Sequence, residues 1–257
     1  MTTPTDVGAR RPWLRSRRWD LFFISLSVVL VAAPYAIYLL ILNLGTVLQP
    51  LAGALGADVE GIGRNAVNFG VALLIGGPHM YVTLTRTALD HDFSTRHRRY
   101  LWSALIVPIL VITLAFLNLT LLLTIFFFWA SIHVLHQIVY ITELYNEKGT
   151  ANLTIFSRVV DYGVILTALY PLAAWKIVQG TFMIGPNNLG ETVGQFLPVG
   201  PWMVWLVGGA FAIALIAWIV KSVLEWRRGR LHGPKTLFIA LTVTASFLVP
   251  ALGNLDT

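Results

Sequence analysis

The residues of this chain best suited to chemistry are histidines set inside long apolar runs. His79 lies within Val71–Thr87, and His133 and His136 lie within Leu121–Tyr140. An ionisable ring in hydrocarbon is costly, so it faces a bundle interior or a cavity and has a partner there. Neutral imidazole is a ligand for iron, copper or zinc, and nearby carboxylates orient such rings. His133 and His136 are three residues apart on one predicted helix, so both rings can reach one point. Gln137 and Tyr140 extend that stripe, and Glu143 ends it.

His79 follows Gly76-Gly77-Pro78. A proline inside a helix removes one hydrogen bond and clashes with the preceding turn. The sequence therefore predicts a kink or local widening at Gly76–His79, which inside a membrane is tolerated only within protein or beside a cavity. His79, Thr83, Arg86 and Asp90 share one helical face, which leads to Asp90-His91-Asp92. His91 is a candidate fourth ligand. Asp90, Glu143 and Asp161 are candidates to orient the rings or relay protons. His79 and His133 each fall roughly 13 residues into their spans, which at 1.5 Å per residue puts both about 20 Å deep. That common depth favours a site shared by His79, His133 and His136.

Three chemistries fit this pattern. One is a non-haem iron site that binds oxygen and acts on a lipophilic molecule. Another is haem b held by two histidines on different helices, as in an electron-transfer subunit that passes electrons to or from quinone beside other membrane subunits. The third is a transporter or channel lined by the His/Asp/Arg face. The same histidines could instead hydrogen-bond neighbouring helices and only hold the bundle together.

Composition defines the elements that must position these groups. The chain has 257 residues, 56% of them hydrophobic and 12% charged, with mean hydropathy +0.73. Soluble domains carry about twice that charged fraction. The sequence reads as an all-α, polytopic membrane bundle of seven spans: Leu21–Leu44, Val67–Ala88, Leu101–Leu117, Thr120–Glu143, Val159–Gln179, Trp202–Leu224 and Thr236–Leu252. Each is near the ~20 residues a crossing needs. Leu101–Glu143 is too long for one crossing, and its polar interruption at Asn118–Thr120 marks the turn. Residues 1–20 form a basic cytoplasmic segment, 21–252 one transmembrane domain and 253–257 a short external tail. The absence of cysteine excludes disulfides, thiolate metal sites and a Cys nucleophile.

The net charge of +6 comes from basic residues at alternate span ends. Arg10, Arg11, Arg15, Arg17 and Arg18 precede the first span. Arg86 ends the second span, with Arg96, Arg98 and Arg99 after it, Lys148 and Arg158 follow the fourth, and Lys221 ends the sixth, with Arg227, Arg228, Arg230 and Lys235 after it. This positive-inside pattern places the N-terminus in the cytoplasm and assigns the charge to topology and the lipid bilayer, with no nucleic-acid partner. The expected location is the bacterial inner (cytoplasmic) membrane. Trp13, Trp19, Trp102, Trp175, Trp202 and Trp226 fall near span ends, as in an interfacial belt. Lys176 is expected to snorkel outward, and His232, in a Gly/Pro turn, to be exposed. The Asn-x-Thr sequences at Asn118 and Asn152 carry no weight, one in a tight turn and the other on the cytoplasmic side.

Gly76-Gly77-Pro78-His79, followed by Asp90-His91, resembles the Gly-x-Pro-His signature of the Brp/Blh family of membrane β-carotene dioxygenases, and Ser131-Ile132-His133 loosely resembles a later element of that family. Met80 stands where the family carries Gly. The resemblance covers about 20 residues and implies a heptahelical fold, membrane histidines holding iron, and oxygen chemistry on a hydrophobic substrate. The resulting expectation is a membrane oxidoreductase with iron on His79, His133 and His136.

Overall fold

The computed structural model describes residues 12–54, 56–148, 154–184 and 187–252, the side chains at 103 and 248–252 excepted. Arg10, Arg11, Asn152 and the tail 253–257 lie outside the described residues.

The described chain is almost entirely helical. Helix α1 runs Arg17–Asn43, α2 Gly45–Ala54, α3 Val59–Thr87, α4 His91–Arg96, α5 Arg98–Leu117 and α6 Leu119–Lys148. Helix α7 runs Ile155–Gln179, α8 Leu189–Phe196, α9 Pro201–Arg227 and α10 Gly233–Leu252. Two short strands, β1 (Met183–Ile184) and β2 (Asn187–Asn188), pair antiparallel between α7 and α8. Among the described residues six helices, α1, α3, α5, α6, α7 and α9, are long and apolar enough to cross a membrane. The segment Thr236–Leu252 is helical as well, as part of the 20-residue α10.

Local chemistry explains the boundaries. Asn118 separates α5 from α6, and its side chain accepts from the Leu121 N–H at 3.0 Å. Asp90 caps α4 by accepting from the Phe93 N–H at 3.0 Å. Thr154 caps α7 by accepting from the Ser157 N–H at 3.2 Å. Gly180 ends α7 at φ +70°, a conformation that favours glycine.

Prolines explain the irregular turns. The turn Leu30–Ala32 in α1 is a 3₁₀ turn just ahead of Pro34. In α3, Ala72–Gly76 is a π turn just ahead of Pro78. The expected widening therefore lies immediately before His79. A β-carbon on Gly77 would approach the Ala72 carbonyl oxygen to 3.3 Å, so a small residue suits the inside of this turn.

The chain divides into two units, residues 1–31 with 123–257, and residues 32–122. In the first, α7 packs on α9, and Leu135, Val164, Ile165, Phe211 and Ile239 form the main core. In the second, α3 packs along the later part of α1. Gly63 allows close approach there, because a β-carbon would meet Ile41 Cγ2 at 3.1 Å.

Candidate functional site

The structure places the histidines as follows. His79 is exposed on α3, in the 32–122 unit, and Thr83 Oγ1 donates to its backbone carbonyl at 2.9 Å. His91 is exposed at the start of α4. Asp90 is spent on the α4 cap. His133 and His136 are exposed along α6, in the other unit, and His133 Nε2 lies 2.9 Å from Gln137 Nε2. Among the described residues no three His, Asp or Glu side chains gather in an arrangement that could hold a metal ion.

Gln137 connects this stripe to a cavity of about 370 Å³ within the first unit. Its walls are mainly apolar, with Val28, Val134, Ile138 and Phe238, and its polar points are Ser27, Gln137, Thr242 and Ser246. An apolar cleft of a few hundred Å³ with a few convergent polar groups is the usual form of a small-molecule site.

The strongest polar constellation lies elsewhere, where the ends of five helices meet. Asp161, only 1% exposed, is in α7. Its Oδ2 accepts from Lys235 Nζ of α10 at 2.9 Å, and its Oδ1 accepts from Lys221 Nζ of α9. Lys235 also donates to Asn146 Oδ1 of α6 at 3.0 Å, and Lys221 to the Ser157 carbonyl at 3.3 Å. Glu225 lies 3.7 Å from Lys221 and accepts from the Ser157 hydroxyl at 3.3 Å. Asn146 Nδ2 donates to Glu143 Oε1 at 2.7 Å, and Glu143 pairs with Arg158 at 3.5 Å. Asp161 and Glu143, both expected near the histidines, thus belong to this network.

Asp20 adds the start of α1. It is fully buried and accepts from Tyr145 Oη of α6 at 3.2 Å. These bonds bring the starts of α1, α7 and α10 to the ends of α6 and α9. For these five helices, that is the alternation expected from the basic residues. Arg96–Arg99 belong to the other unit.

His232 differs from expectation. The Gly/Pro turn suggested exposure, but the ring is half-buried, 5.8 Å edge-on from the Tyr145 ring. Its Nδ1 accepts from the Lys235 N–H at 3.3 Å, so the proton of the neutral ring is on Nε2, which is buried with no hydrogen-bond partner among the described residues. Burial first, then the Lys235 charge, lower its pKa below the ordinary 6.5, against a smaller raising effect of a backbone hydrogen bond. Protonation would also place a hydrogen on Nδ1 and break the contact with Lys235 N–H. The unfolded chain therefore binds this proton more readily than the native one. Stability from this site is complete above about pH 6.5 and is lost as pH falls below it. Thermal melts at pH 7.5 and 5.0 should show an acid-induced fall in midpoint that His232→Gln reduces. Equal falls in both proteins would remove the assignment.

No protein-family model matches the chain, and no curated protein or solved structure matches it either.

Proposed function

We propose that the chain is an integral membrane protein of seven spans, N-terminus in the cytoplasm, that holds a lipophilic small molecule in the cleft between α1, α6 and α10. The observation that carries this reading is Gln137, which lines the apolar cavity and is bonded to His133. On this reading the cleft lies within the bilayer, where a lipophilic molecule is already concentrated; the support is the length and apolar character of α1 and α6. Ser27, Gln137, Thr242 and Ser246 would orient its polar end.

The test is native mass spectrometry of the purified protein, with organic extraction of what it carries. A near-stoichiometric lipophilic molecule is expected in the wild type. Ala245→Phe, which projects a ring into the cleft, should lower its occupancy about tenfold or more, the scale of steric exclusion from a filled pocket. Equal occupancy in the variant would overturn the assignment to this cleft.

The finer reading is an oxidoreductase with iron on His133 and His136 of α6, and haem b as the alternative. Its support is the His133–His136 spacing of three residues on one helix. When bound, iron would supply oxygen activation, while the chain's own residues orient the molecule and exclude water. Elemental analysis and a dithionite-reduced visible spectrum of the same preparation decide it. Stoichiometric iron without haem bands supports the first form, and sharp α and Soret bands support the second. A metal-free, haem-free protein leaves the histidines with hydrogen-bonding roles.

A further inference from the structure

The first unit contains a second, larger cleft of about 960 Å³, on the basic end of the bundle. One wall is the segment leading into α1, with Trp13, Leu14, Arg15 and Trp19, and the other is the end of α6, with Leu144, Glu147 and Lys148. Ile24 and Ile141 continue the apolar lining deeper along the two helices.

The cleft is a built feature of the fold. Asp20 folds the entry segment back by accepting from the Leu14 N–H at 2.7 Å and the Arg15 N–H at 3.2 Å. The same carboxylate is joined to α6 through Tyr145 Oη at 3.2 Å. One fully buried charge therefore fixes both walls. The Arg15 guanidinium sits 5.7 Å from the centre of the Trp19 ring, which holds a cation at the mouth. Lys148 provides a second exposed cation on the opposite wall, next to the Glu147 carboxylate.

We infer that this cleft binds the headgroup of an anionic phospholipid. The arrangement matches such a lipid in sequence from surface to depth. Arg15 and Lys148 meet the phosphate, and Glu147 accepts from a headgroup hydroxyl. Trp13 and Trp19 lie at the interfacial level that indole rings favour. Leu14, Ile24, Ile141 and Leu144 face the first methylenes of the acyl chains. A basic pocket between helices at the basic membrane face is a physically suitable headgroup site, and each cation near the surface contributes about fivefold in affinity.

The experiment is competition binding to the full chain in detergent, read by native mass spectrometry, with phosphatidylglycerol and phosphatidylcholine of identical acyl chains. The wild type should retain phosphatidylglycerol about thirtyfold better, and Arg15→Gln with Lys148→Gln should bring the ratio near one. Both side chains are exposed, so this double variant should melt with the wild type. Leu144→Trp, which narrows the cleft from its α6 wall and leaves the charges, should lower retention of phosphatidylglycerol. Arg227→Gln with Arg230→Gln, cations outside the cleft lining, should leave the ratio unchanged. Equal retention of the two lipids by the wild type overturns the inference. So does a preference that survives R15Q/K148Q or disappears in R227Q/R230Q. Displacement of the lipid by millimolar inorganic phosphate would identify a free-phosphate site and overturn it too.

Discussion

Asp161→Ala should destabilise the protein more than any other single substitution in this network. The variant would leave two ammonium groups without their shared carboxylate, Lys221 at 9% and Lys235 at 3% side-chain exposure. Breaking a buried ion pair from one side costs about 3–5 kcal/mol, because the remaining charge stays desolvated. Native proteins have only about 5–15 kcal/mol in total. For a chain of this size the loss corresponds to a fall of about 10 °C in the thermal midpoint. The charge-free triple variant Asp161→Leu, Lys221→Met, Lys235→Met should recover most of it, since apolar groups of similar volume replace buried ions at little or no cost. Lys221→Met alone should be milder, because Asp161 keeps Lys235 at 2.9 Å. An Asp161→Ala protein that melts within about 2 °C of the wild type would show that water reaches the lysines and that the network contributes little.

The network also shows which features were legible in the sequence. The long apolar helices were: six of the segments read as spans are helices long and apolar enough to cross a membrane, a property that hydropathy over about 20 residues reports. So was the turn at Asn118, the polar interruption in a run otherwise too long for one span. The break before His79 was legible too, since Gly-Gly-Pro has few helical options, and Ala72–Gly76 takes the π form.

The partners of Asp161 were not legible. Lys221 and Lys235 are 60 and 74 residues away in sequence, and both read as loop charges that set orientation. One signal was present: Lys221 lies inside the apolar run Trp202–Leu224, where a charge is rare enough to require a partner. Asp20 was hidden for a similar reason. It sits directly after Arg17-Arg18-Trp19, where a carboxylate looks like ordinary surface charge. Its bond to Tyr145 spans 125 residues. Histidine depth, by contrast, placed His79 and His133 level with each other but carried no information on rotation about the helix axis. Both rings lie on exposed flanks of their helices.

Asp20→Ala is expected to have the second-largest effect and to connect stability with the lipid cleft. Asp20 is fully buried and accepts three hydrogen bonds, from the Leu14 and Arg15 N–H groups and from Tyr145 Oη. It also sits in the first turn of α1, where a negative charge is favoured by the helix dipole. Hydrogen bonds to a charged group contribute about 1.5–3 kcal/mol each, but the two backbone donors lie in a segment that can turn to water once released. The net cost should therefore be about 3 kcal/mol, or a midpoint fall of roughly 6–10 °C. Tyr145→Phe removes one bond and keeps the ring against Phe238, so its cost should be about 1–2 kcal/mol. The double variant should cost less than the sum, because the two substitutions remove the same bond. Release of the entry segment gives an independent readout. Trypsin should cleave after Arg15 or Arg17 several-fold faster in Asp20→Ala than in the wild type, and only about as fast as the wild type in Tyr145→Phe, where the backbone bonds to Asp20 remain. Retention of phosphatidylglycerol should fall with the first variant and persist with the second. If Asp20→Ala melts normally and resists trypsin like the wild type, Asp20 does not hold the entry segment, and the cleft wall would need another anchor.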